Sequence, residues 1–243
     1  MHDIQYDAVH DEFVFANSFG QAILTFRGGA DGGEPPLRVI QGPRTQLEDP
    51  DRVDVDPVHN ELFTVTNESV LVFPRLGNGD VAPIRVIRGP DTMLTRASAL
   101  AVDPVNNLIV VRVRVESPTA RRGSQLLIFN RTDNGNVKPR AVIGGPKTGF
   151  LEGSAGNSQL RVYPPKGWIF SPYKRSELDE NDEYNDVLAV WSIHDNGDVP
   201  PRWAFGGPKS KIHGLRVAFN PKTKEVVLGG GRTLKTFYLP ELF

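Results

Sequence analysis

The chain contains no cysteine. Disulfides, thiolate metal sites and a cysteine nucleophile are therefore excluded. One-sided charge is missing as well: 29 acidic residues stand against 28 basic ones, for a net charge of −1. So even a balance gives no overall pull toward nucleic acid or an anionic membrane, and no nucleic-acid partner is expected. No apolar run approaches the ~18 residues of a membrane span. The opening residues, MHDIQYDAVHDEFVF, have neither the basic start nor the apolar stretch of a signal peptide. On that reading the protein is cytosolic, or the chain is a mature or trimmed form. HExxH and Walker motifs are absent, and GNSQL is not a nucleophile elbow.

Glycine (24) and proline (20) are plentiful in the 243 residues, which predicts many turns and little helix. At 39% hydrophobic, the chain can still bury a sizeable core. The turns recur. PLRVIQGP begins at Pro36, PIRVIRGP at Pro83, PRAVIGGP at Pro139 and PRWAFGGP at Pro201, with steps of 47, 56 and 62 residues. Each follows a turn: ADGGEP, GNGDVAP, DNGNVKP or DNGDVPP. Asn-Gly and Asp-Gly pairs supply the positive φ of tight hairpins. Before each turn stands a short apolar strand, AILTF, VLVF, LLIF or LAVW, and a fifth, LKTF, begins at Leu234. Earlier still come two strands around an Asp-Pro-type turn. These align Asp7, Asp56, Asp103, Tyr163 and Asn220, spaced 49, 47, 60 and 57 residues apart.

One repeat is thus four antiparallel strands, A to D, with D outermost, which is the unit of a β-propeller blade. The expected fold is all-β, a single propeller domain with blades near 1–50, 51–97, 98–156, 157–214 and 215–243. Five A, B and C strands face only four D strands, so the last blade is incomplete. Either the ring has five blades with a three-stranded last one, or it is a six-bladed propeller lacking an N-terminal segment. An open edge invites pairing, so a homodimer through it is one expectation. Asp56 and Asp103 are expected to bond their own turns, with His10 and His59 as turn residues beside them. His194, in SIHDNG, is expected at the surface.

Repeats such as VDPVHNELFTVTNESVLVFPR and LAVDPVNNLIVV resemble those of bacterial NHL-like propeller proteins, over essentially the whole chain. That group shares its architecture with streptogramin lyase and with gluconolactonase- and paraoxonase-like hydrolases. The resemblance is specific for the fold, and one propeller hosts many functions. It implies an exported origin and a coding chain that starts further upstream.

Propeller ligands bind in the central funnel, at the face made by D-to-A and B-to-C loops. By register, the funnel collar contains Asp3, Arg52, Ala99, Gln159 and Arg216. One residue earlier stand His2, Asp51, Ser98, Ser158 and Leu215. The B-strand exits add Asn17, Asn67 with Glu68, Arg112, Tyr173 and Gly230, and His213 lies on the last D-to-A loop. Asp3, Asp51, Glu68, Asn17 and Asn67 have the oxygen ligands that a hard divalent cation such as Ca²⁺ takes. His2 and His213 are the types that join acids at a transition metal. In the hydrolase relatives, a central metal held by Glu, Asn and Asp polarises a lactone or phosphoryl oxygen. Asn67 and Glu68 match those types, while the rest of that ligand pattern is not matched.

Two function classes follow. The first is a binding propeller, taking a small ligand or protein at Asp3, Asn17, Asp51, Arg52, Asn67, Gln159, Tyr173 and Arg216. The second is a divalent-metal-assisted hydrolase of lactones, esters or phosphotriesters, with His2, Glu68 and His213 as catalytic candidates and His2, Asp3, Asp51, Asn67, Glu68 and His213 as metal candidates. Two insertions between strands B and C, basic Arg112–Ser124 and acidic Tyr173–Asp186, are placed on the funnel face, where they would pair as a partial lid.

Overall fold

The structure, a computed structural model, describes residues 3–116, 123–150, 159–174, 186–207, 209–212, 216–230 and 233–243. It is all-β, and its five antiparallel sheets are the blades of a five-bladed β-propeller. Blade 1 is β1 (Asp3–Asp7), β2 (Glu12–Asn17), β3 (Ala22–Arg27) and β4 (Arg38–Gln41). Blade 2 is β5 (Arg52–Asp56), β6 (Glu61–Val65), β7 (Ser69–Pro74) and β8 (Arg85–Arg88). Blade 3 is β9 (Ala97–Asp103), β10 (Leu108–Val115), β11 (Gly123–Asn130) and β12 (Ala141–Ile143). Blade 4 is β13 (Arg161–Tyr163), β14 (Trp168–Lys174), β15 (Asp186–Ser192) and β16 (Trp203–Gly206). Blade 5 has three strands, β17 (Arg216–Asn220), β18 (Glu225–Gly230) and β19 (Thr233–Tyr238). Within each sheet the strands lie in A, B, C, D order, as the repeats predict. Among the described residues, helix is confined to single 3₁₀ turns.

The A–B turns explain why the repeat is written as it is. Asp7, Asp56 and Asp103 each accept the backbone N–H groups two and three residues on. Their second oxygen meets the His10 ring at 2.8 Å, the His59 ring at 2.7 Å and the Asn106 amide at 2.8 Å. His10 and His59 are turn residues, and Asn106 does the same work in blade 3. Four positions after each aligned residue the chain turns left-handed: Asp11 (φ 55°), Asn60 (57°), Asn107 (56°), Gly167 (61°) and Lys224 (58°). This is a type I turn closed by an αL residue, a favoured hairpin geometry.

The outer hairpins join neighbouring blades. The Asn78 side chain accepts Val39 N–H at 2.9 Å, Asn134 accepts Val86 N–H at 2.9 Å, and Asn196 accepts Val142 N–H at 2.9 Å. The glycine after each asparagine forms a parallel bridge to the same outer strand, at Ile40, Ile87 and Ile143. The next residue takes an N–H just past the strand's Gly-Pro: Asp80 from Arg44 at 2.7 Å, Asn136 from Asp91 at 2.9 Å and Asp198 from Lys147 at 2.7 Å. Each Asn-Gly-Asp or Asn-Gly-Asn turn therefore latches the D strand of the preceding blade.

Beyond Gly-Pro the repeat continues, as GPRTQL, GPDTML, GPKTGF and GPKSKI. Thr45, Thr92, Thr148 and Ser210 each donate to the carbonyl of the glycine three residues back, at 2.6–2.7 Å. Their hydroxyls also accept the N–H of Leu47, Leu94, Phe150 and Ile212. Those four apolar side chains are buried. Burying one such side chain contributes roughly 1.5–3 kcal/mol, and here it fixes the step from each D strand toward the next A strand.

By contact density the chain divides into two compact units, Met1–Val111 with Phe129–Arg140, and Arg112–Ile128 with Ala141–Phe243. In the first, Val14, Ile23, Ile40, Leu47, Val53, Leu62, Leu71 and Phe73 form one core. Glu12 there bridges Arg38 (2.5 Å) and Arg75 (2.7 Å), and Glu61 bridges Arg85 (2.7 Å) and Arg131 (2.6 Å). In the second unit, Phe170, Leu188, Val190, Ile212, Val217, Val226, Leu228 and Leu242 are the core. Buried Arg112 reaches the Ser171 hydroxyl in that unit.

Candidate functional site

Strand A is innermost in each sheet, so its free edge carries N–H groups that need acceptors. Neighbouring A strands supply them. The Asp3 carboxylate faces Val53 N–H at 3.4 Å, and Asp54 accepts Val102 N–H at 2.8 Å. Asp3 is 4% exposed. Arg52 is buried, donates to the Asp51 carbonyl at 3.0 Å and lies 3.4 Å from the Asp51 carboxylate. Asp3 and Asp54 thus tie neighbouring inner strands, while the Arg52–Asp51 contact is between sequence neighbours.

The remaining sequence candidates have varied surroundings. Asn17 caps its own B–C turn, accepting Gly20 N–H at 3.1 Å. Asn67 is exposed, and its carbonyl receives Ala97 N–H at 2.9 Å. Tyr173 is buried, its ring edge-on to Phe150 at 5.6 Å. Gln159 is half-buried and Arg216 is exposed. His2, His213, Ser158 and Leu215 lie outside the described residues, as do the middles of both B–C insertions. Among the described residues, no three His, Asp or Glu side chains come together as a metal site would require.

Glu68 has a different setting. It is exposed on the B–C turn of blade 2 and lines a cleft of about 350 Å³ with Arg88, Gly89, Pro90, Met93, Leu94 and Thr95. A cleft of about 500 Å³ occupies the same register in blade 1, between Phe19–Gln21 and the Gly42–Glu48 connection. Both join a B–C turn to the Gly-Pro exit of one blade. The last D-strand residue spans each: the Gln41 amide donates to Gly20 O at 2.7 Å, and Arg88 lies 3.4 Å from the Ser69 hydroxyl. The equivalent positions differ in chemistry. Blade 1 offers Phe19, 90% exposed, with the Gln41 amide; blade 2 offers the Glu68 carboxylate and the Arg88 guanidinium.

The perturbed titrations sit at the other ends of the strands. Tyr6 is raised chiefly by its bond to Asp11, and Arg202 by its bond to Asp195. In the C–D hairpin of blade 1, Arg27 is raised and Glu34 lowered by the bond between them. Each pair links a strand end to its turn or spans a hairpin, and none of these groups lines either of the two clefts.

The sequence reading named Glu68 but missed Phe19, Arg88 and the residues after Gly-Pro. A signal is present in the sequence: the four-fold GPxT/S-x-apolar phrase continues the repeat past its Gly-Pro.

Comparison with models of known families finds no match, and comparison with curated proteins finds none either. The fold thus carries the classification, and it defines the chain as an all-β protein of the five-bladed propeller class.

Proposed function

We propose that this chain is an NHL-like interaction propeller, of exported bacterial type, that receives a small ligand or a partner's side chains in the clefts of blades 1 and 2. One observation carries this reading: two clefts of equivalent register, built from the same backbone, present different chemistry at equivalent positions. A scaffold repeated in this way suits recognition of an extended ligand, with an aromatic and amide contact in one subsite and a charged pair in the next.

The test is a chemical-shift screen of the ¹⁵N-labelled protein against short peptides and fragments. Hits should move the amides of Gln21, Gln46, Glu68 and Met93, and Phe19→Ser or Glu68→Ala should remove them. The opposite result is metal-dependent turnover of a lactone, ester or phosphotriester, abolished by chelation and by Glu68→Ala. That outcome would replace the binding reading with the hydrolase.

A further inference from the structure

Three outer strands are latched by an Asn-Gly-Asp or Asn-Gly-Asn turn, and the fourth is not. By register, Ala204 corresponds to Val39, Val86 and Val142, Phe205 to Ile40, Ile87 and Ile143, and Lys209 to Arg44, Asp91 and Lys147. Among the described residues, no side chain accepts Ala204 N–H or Lys209 N–H, and no turn bridges to Phe205.

The surroundings agree. Ile40, Ile87 and Ile143 are at most 2% exposed, whereas Phe205 is half-buried and Trp203 beside it is 42% exposed. A Cβ on Gly42, Gly89 or Gly145 would meet the latching Asp80, Asn136 or Asp198 within 2.6 Å. On Gly207, the equivalent position, it would meet nothing within 4 Å among the described residues. Next to this strand lies β19, at the edge of the three-stranded blade, with Leu234 79% and Tyr238 67% exposed. Phe205 and Phe237 touch, their rings 4.7 Å apart, so the unlatched strand and the open edge adjoin.

In blades 2 to 4 one segment does two jobs: its turn latches the previous D strand, and the strand after it pairs with its own C strand. We propose that β16 and β19 together form a socket for such a turn-plus-strand segment from outside residues 1–243, one bearing Asn-Gly-Asp or Asn-Gly-Asn ahead of a proline-led apolar strand. Its asparagine oxygen would take Ala204 N–H, its carboxylate or amide Lys209 N–H, and its strand would extend blade 5 by β-augmentation. A second copy of the chain is the poorer occupant. Its three latch turns are engaged, and blade 1 offers Asp31-Gly32-Gly33, in which Asp31 bonds Gly33 N–H at 3.0 Å and no acidic or amide side chain follows the first glycine. The socket shares no residue with the clefts of blades 1 and 2.

The probe is a synthetic peptide copying residues 77–88, GNGDVAPIRVIR, added to the ¹⁵N-labelled full chain. Saturable binding is expected, with slowed hydrogen exchange at Ala204 and Gly206 and a blue shift of tryptophan emission as Trp203 is covered. A control peptide with Asn78→Ala and Asp80→Ala should bind at least tenfold more weakly. In the protein, Ala204→Pro removes the N–H and should abolish binding; the peptide control keeps the test valid if that variant misfolds. The proposal is overturned if neither peptide binds, if both bind equally, or if the chain self-associates through β16 in a manner that Ala204→Pro abolishes.

Discussion

The Asp80 carboxylate accepts the backbone N–H of Arg44 at 2.7 Å, across 36 positions of sequence and from one blade to the next. Blade 3 repeats this bond with Asn136 and blade 4 with Asp198. An amide oxygen serves as well as a carboxylate. Asp80→Ala should lower unfolding free energy by about 0.5–1.5 kcal/mol, the net contribution of a hydrogen bond whose donor water can still reach. Asp80→Asn should stay within about 0.5 kcal/mol of the parent. Chemical denaturation of the three proteins measures both.

Gly42 faces that same side chain with φ +131°, and a Cβ there would sit 2.6 Å from the Asp80 carboxyl. Gly207 has a positive φ of +91° but no neighbour within 4 Å among the described residues. Backbone strain of this kind costs about 1–3 kcal/mol. Gly42→Ala adds displacement of the latch to that strain, so it should lower the melting temperature more than Gly207→Ala does. Equal losses would mean that Asp80 contributes nothing at Gly42.

In the A–B turns, Asp56 is fully buried and accepts Val58 N–H, His59 N–H and the His59 ring. Asp56→Ala leaves two backbone donors unsatisfied and should cost about 2 kcal/mol or more. His59→Asn reproduces the pair found at Asn106 and should change stability by no more than about 0.5 kcal/mol. Thermal unfolding of the two variants checks the contrast.

The repeat made much of this legible. Strand order, the short fifth blade, the Asx turns and the surface position of His194 all follow from phrases whose spacing survives insertion. The latch was not legible, because Asn78 and Val39 are distant in sequence and the turn reads equally well as a local hairpin. The candidate site residues follow from register and residue type. Register locates a backbone position but not the partner its side chain finds. Asp3 is expected to face a ligand, and one of its contacts is the Val53 amide of a neighbouring strand. Glu68 was named for its residue type; its cleft with Arg88 depends on the connection after Gly-Pro.

Glu34 titrates below the ordinary carboxylate range because Arg27 bonds its charged form. A carboxyl with a lowered folded pKa contributes stability above its unfolded pKa and loses it as pH falls through the folded value. The contribution should therefore be present at neutral pH and disappear in acid, and Arg27→Ala should return the Glu34 midpoint upward. A ¹³C titration of the Glu34 carboxyl follows this directly, and an unchanged midpoint in Arg27→Ala would remove the pairing. The pair is exposed, so raising the salt concentration should weaken it.

Blade-to-blade latching is the central claim, and amide hydrogen exchange tests it most directly. The account predicts that Val39, Val86 and Val142 N–H exchange slowly, each held by the asparagine of the following blade, while Ala204 N–H exchanges quickly in the isolated chain. Equal protection at all four positions, or none at the first three, would contradict it.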